Sequence, residues 1–168
     1  MKLTDILSLE KWVEFEKDIS ERSGLASNIF GTDGIRITDY KVWVNRLCPV
    51  VKADNRGQSF ICAVAHMNIA GQARQSKKPL IQECDAGLMK LVVPIFVKDE
   101  FLGAASACGL LLDDGEVDDF MLHKTLGLEE EKIAGLSNDI NRIATEKAEA
   151  LCDYIRERID SIIRNSGN

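Results

Sequence analysis

Two apolar segments close together constrain this chain more than any other feature. Residues 88–97 and 101–112 are joined only by Lys98-Asp99-Glu100. Two such runs around so short a polar link predict a β-hairpin. The second run holds Gly103, Ala104, Ala105, Ser106, Ala107, Cys108 and Gly109. Small side chains let a ligand, a cofactor or a packed helix approach a strand closely.

The rest of the pattern arranges itself around that hairpin. Ile6, Leu9, Val13 and Ile19 predict a helix over 4–22, capped by Thr4 or Asp5 and ended by Ser23-Gly24. A strand over 25–30, the turn Gly31-Thr32-Asp33-Gly34 and a strand over 35–38 read as a second hairpin. Residues 40–53 read as a short helix or an irregular stretch broken by Pro49, and 54–58 as a polar loop. A helix is expected over 59–76, then a strand over 80–84 and a bend at Asp85-Ala86-Gly87. Beyond 112 the periodicity turns helical, over 117–126, 128–134 and from near 137 to about 164. Strands that come as hairpins, with helices between and after them, indicate an α+β domain on an antiparallel sheet rather than a βαβ repeat.

At 168 residues the chain has room for one domain with a full core. No apolar run approaches the roughly 20 residues that span a bilayer. The N-terminus lacks a signal-peptide apolar region, so a cytoplasmic location is expected. Net charge is −6, which disfavours direct binding of nucleic acid, because domains that grip phosphates are usually basic. The charge is uneven. Residues 1–112 carry 14 basic and 13 acidic groups, a net +1, whereas residues 113–168 carry 7 and 14, a net −7.

There are only two histidines, His66 and His123. No Ser-His-Asp or Cys-His-Asn order stands out, and no phosphate-cradling glycine loop is present. An enzyme is therefore not expected. The five cysteines are more informative. Cys48, Cys62, Cys84 and Cys108 each sit beside a structural transition or a small residue, and Cys152 falls on the acidic tail. In a reducing compartment they read as thiols or metal ligands. Cys62 and His66, at i and i+4 on one helix, can reach one ion. Thiolates take zinc, iron–sulfur clusters or haem iron, so Cys48, Cys62, Cys84 and Cys108 form a candidate metal set. The spacing matches no standard finger, and buried free cysteines also serve as small hydrophobes.

The order of several short pieces resembles the PocR-type sensory domain. The pieces are Gly24-Leu25 entering Thr32-Asp33-Gly34, then Leu47-Cys48, Cys62, Cys84-Asp85-Ala86-Gly87-Leu88, Val93-Pro94-Ile95 and Leu102-Gly103. The similarity runs from about residue 4 to 135. It implies a PAS- or GAF-like sheet flanked by helices, a unit over residues 1–135 and a helical extension over 136–168. It also implies a cytoplasmic, non-catalytic module of a signal-transduction system that binds a small organic ligand, such as a simple diol or hydrocarbon derivative. The family's three cysteines fall on Cys48, Cys62 and Cys84, with Cys108 added here. A histidine typical after the third cysteine is Asp85 in this chain. Strand alternation and family order together place a cavity among Trp43, Leu47, His66, Asp85, Leu91, Ala105 and Ala107. A redox or gas sensor built on the four cysteines is the competing reading.

The terminal helix completes the expectations. Ile155, Ile159, Ile162 and Ile163 add apolar surface beyond what one small domain needs. The leftover stripe would form a homodimer face or the contact to a signalling partner.

Overall fold

The computed structural model describes residues 1–167. Its centre is a four-stranded antiparallel sheet of β1 (Ala26–Gly31), β2 (Leu80–Glu83), β3 (Met89–Val97) and β4 (Glu100–Cys108). The spatial order is β1-β4-β3-β2. The β3–β4 hairpin stands at its middle, with Leu91 opposite Ala107 and Lys90 opposite Cys108. The α+β architecture, an antiparallel sheet flanked by helices and ending in a long helix, is the one the pattern called for.

The first helical segment divides in two, α1 (Leu3–Ile6) and α2 (Leu9–Ser23). Ser8 causes the break, because its hydroxyl caps α2 by accepting from the Lys11 N–H. Only one of the two expected hairpins survives. Residues 35–38 run beside β1 through two hydrogen bonds, Gly31 N to Ile35 O and Ile37 N to Ile29 O. Thr38 then turns away to donate its hydroxyl to the buried Glu16 carboxylate, and the full ladder of β1 runs along its other edge, with β4. Glu16 also accepts the Ile29 N–H, satisfying the edge of β1 from the helix side.

Pro49 does not break a helix. It lies in the first turn of α3 (Leu47–Ala53), where its missing N–H would have no partner. The expected polar loop after it is helical too. A short turn, α4 (Asn55–Gly57), passes through a π-helical stretch (Gln58–Ala63) into α5 (Val64–Ser76). Gly57 permits this, since a Cβ there would meet the Val51 carbonyl oxygen at 2.0 Å. α3 and α4 can therefore touch backbone to backbone.

After β4 the chain forms β5 (Leu111–Leu112), α6 (Asp119–Leu126), α7 (Glu130–Ser137), β6 (Arg142–Ile143) and α8 (Thr145–Asn165). β5 and β6 pair in parallel. Arg142 fastens this pairing by donating to the carbonyls of Leu112, Asp113 and Gly115. The terminal helix therefore starts at Thr145 and not near 137, because the residues before it are drawn into the ladder. Its apolar stripe is not left over either. Ala148, Leu151, Cys152, Ile155 and Ile159 are buried in one core with α2 and the sheet, and Ile162 and Ile163 pack partly against it.

Candidate functional site

The two faces of the sheet have different neighbours. Ile29, Leu91, Val93, Ile95, Ala105 and Ala107 point to the face covered by α2 and α8. Val92 and Ala104 point the other way, against Ile69 and Ala73 of α5. Beyond them on that second face, Asn28, Phe30, Lys90 and Cys108 are roofed not by a packed helix but by a cavity of about 540 Å³. This volume suits a small molecule. Its other walls come from the 33–36 loop, residues 41–44, Cys48 and Lys52 of α3, the π turn with Cys62, His66 and Met67 of α5, and Cys84 and Leu88.

Local structure explains how these groups meet. Asn45 accepts the Cys48 N–H at the start of α3 and donates to the Gly109 carbonyl at 2.7 Å, tying α3 to the end of β4. Cys62 on the π turn and His66 on α5, four residues apart, both line the cavity. The Cys84-Asp85-Ala86-Gly87-Leu88 series is a tight turn closed by Gly87 N to Cys84 O at 2.8 Å. Gly87 has φ +86°, and a Cβ on it would meet the Glu116 carbonyl oxygen at 2.0 Å. Glycine is required there both for the turn and for the segment packed across it.

All four cysteines expected to share a site, Cys48, Cys62, Cys84 and Cys108, line this one cavity, and all are free. Burial pushes Cys48 up to about 12, with the neighbouring thiols adding to the rise and the Asn45 hydrogen bond opposing it. Burial likewise lifts Cys84 to about 11 and raises Cys62. These three are neutral thiols at physiological pH, so a metal would have to displace their protons to bind. Among the described residues no three His, Cys, Asp or Glu side chains converge so as to hold an ion. As it stands the arrangement supplies no ready set of three or more ligands for zinc or an iron–sulfur cluster among the described residues. Cys152 lies apart, in the core beneath α8.

Of the other expected lining residues, Trp43 and His66 face the cavity. Leu91, Ala105 and Ala107 do not, because pleat parity turns them into the opposite core. Leu47 is buried beside α6 and α7. Asp85 lies in a separate surface depression along α5. The groups missed in the sequence are Asn28, Phe30, Arg36 and Lys90. Lys90 carried a signal, since a lone lysine between Met89 and Leu91 interrupts an otherwise apolar strand.

The cavity's polar side is unusual. The Phe30 and His66 rings stack with centroids 3.7 Å apart, and the Lys90 ammonium lies 5.5 Å from the Phe30 centroid. Burial, aided by the charge of Lys90, pushes His66 down to about 3, so its imidazole is neutral. Lys41 and Lys52 both approach the Trp43 ring, which is 43% exposed at the rim.

Among the described helices none is long and apolar enough to cross a membrane. No curated protein and no solved structure matches the chain. The family model described as "Sensory domain found in PocR" matches residues 5–166, a span that takes in the sheet, every wall of the cavity and the terminal helix. The chain belongs to the PocR sensory-domain family.

Proposed function

We propose that this protein is a cytoplasmic, non-catalytic sensing module whose small organic ligand occupies the cavity over Asn28, Phe30 and Lys90. The observation that carries the reading is the cavity itself: about 540 Å³ on a sheet face whose remainder is tightly packed. Its walls are mostly apolar, and a few polar groups are available to orient a ligand. Trp43 and His66 serve as ligand contacts. Cys48, Cys62, Cys84 and Cys108 serve as soft, neutral wall groups.

The route to an output is short. Cys108 lines the cavity at the end of β4, and three residues on Leu111 pairs with Arg142, just ahead of α8. A ligand that binds one packing of this segment better than another shifts the seating of α8. A signalling partner or a second copy of the chain would meet α8 on its outer face, where Glu146, Glu149, Asp153, Glu157 and Asp160 are exposed.

The test is a thermal-shift screen of C2–C8 alcohols, diols, amides and acids on the wild type and on Cys62→Phe, which fills the cavity from the π turn. Compounds that raise the wild-type Tm should leave Cys62→Phe unmoved. Shifts that survive the substitution would put binding elsewhere and overturn the reading.

A further inference from the structure

The cavity contains charge and hydrogen-bonding capacity that the protein itself leaves unanswered. Lys90 is 7% exposed, and among the described residues no carboxylate forms an ion pair with it. Its ammonium lies over the Phe30 ring. A cation–π contact returns far less than desolvating an ammonium costs.

Three other polar groups repeat the pattern. His66 is 5% exposed, and its Nδ1 is buried without a partner. The Nε of Arg36 is also buried and unpartnered, while its Nη2 donates to the Tyr40 carbonyl. No hydrogen bond engages the Asn28 amide among the described residues.

The charges along the walls agree. Arg36, Lys41, Lys52 and Lys90 face the cavity, against one carboxylate, Asp33, whose Oδ1 accepts the Ile35 N–H. Part of the Arg36 charge is answered by the field of Glu16. The cavity is thus cationic in a chain of net charge −6. Water would satisfy the hydrogen-bonding groups but would not supply the missing charge. A neutral diol has the same shortcoming.

We propose that the ligand is an organic anion, with a carboxylate head held by Lys90 and its neighbours His66 and Asn28, and an apolar body against Trp43 and the thiol wall. This rests on the reading of the cavity as the sensing site. Lys41 and Lys52, at the Trp43 rim, would draw such an anion in from solution.

The test uses calorimetry with acids and their closest neutral partners: hexanoate with hexanamide, benzoate with benzamide, lactate with 1,2-propanediol. Inorganic phosphate forms a separate arm. At least one acid should bind the wild type about tenfold or more tightly than its partner. Lys90→Met should abolish that preference, so that acid and neutral partner bind alike. Should that variant fail to fold, a sodium chloride titration of the wild type gives the same information, with salt weakening the acid and sparing the amide. Neutral compounds binding as tightly as their acids would overturn the anion proposal and leave the sensing cavity intact. Phosphate binding more tightly than every acid would overturn the carboxylate in favour of a phosphoryl group. If no compound bound at millimolar concentration, the sensing cavity would fall together with the anion.

Discussion

Alternate residues of the same strands build two unlike surfaces. On one, Leu91, Val93, Ile95, Ala105 and Ala107 meet α2 and α8 in a core of aliphatic and aromatic side chains. On the other, one residue along each strand, Asn28, Phe30, Lys90 and Cys108 face an open volume. The first face is where stability resides, since apolar area removed from water is the dominant favourable contribution to folding. The second gives some of that stability up. It holds a buried ammonium, a buried neutral imidazole and unfilled space, each of which a packed core would eliminate. A single pleat thus separates the groups that hold the domain together from those available to a ligand.

The comparison can be broken most sharply at Leu91, which is fully buried against α2 and α8. Leu91→Ala should cost about 3 kcal/mol in chemical denaturation, by lost transfer energy and a residual void. Ligand affinity should stay unchanged as long as the variant is folded. Ala107→Phe comes next. It forces a ring into the packed face and should destabilise by about 2 kcal/mol. If instead it blocked ligand binding at no cost in stability, the assignment of faces would be reversed.

The cavity face should announce itself through pH. His66 has its pKa pushed from 6.5 down to about 3, so the unfolded chain binds a proton that the folded chain refuses. Stability should therefore fall as pH drops below 6.5 towards 3, by up to about 1.4 kcal/mol per unit. Unfolding midpoints from pH 7 to 5 on the wild type and on His66→Phe, which retains a ring against Phe30, measure this contribution. Equal slopes in the two proteins would show that the imidazole does not titrate as described. The smallest effect is expected at Lys90. Lys90→Met removes a buried, unpaired charge and should leave stability unchanged or raise it by about 1 kcal/mol. Its neighbour Leu91 responds in the opposite direction, which is the sharpest form of the comparison.

Much of the fold could be read in advance because it follows from local pattern. The β3–β4 hairpin is legible in two apolar runs and a three-residue link, and α2 and α5 in their helical spacing. What failed depended on partners distant in sequence. Residues 35–38 look like a strand, but Thr38 is claimed by Glu16, 22 residues earlier. Residues 138–144 continue a helical rhythm, but β6 pairs with β5, about thirty residues before it. The four cysteines border one space, because each lies at the end or on the inner face of an element that walls it. The pleat parity of Leu91, Ala105 and Ala107 was misassigned. A strand buried on both faces shows no alternation of polarity, and the single exception, Lys90, marked the cavity side.

Arg142 has a consequence for how freely this chain can change length. By gripping three carbonyls at the end of β5 and just after it, it pins together the two ends of the excursion that holds α6 and α7. For a segment closed in this way, added residues increase the loop entropy only logarithmically, with a doubling costing about 0.6 kcal/mol. The turn at Gly127-Leu128, between α6 and α7, is therefore a place where foreign sequence can be grafted. The sheet and the seat of α8 lie on the far side of the clasp, whereas α3 and Leu88, which share a core with Leu126 and Leu128, would register an insertion that displaced those two residues.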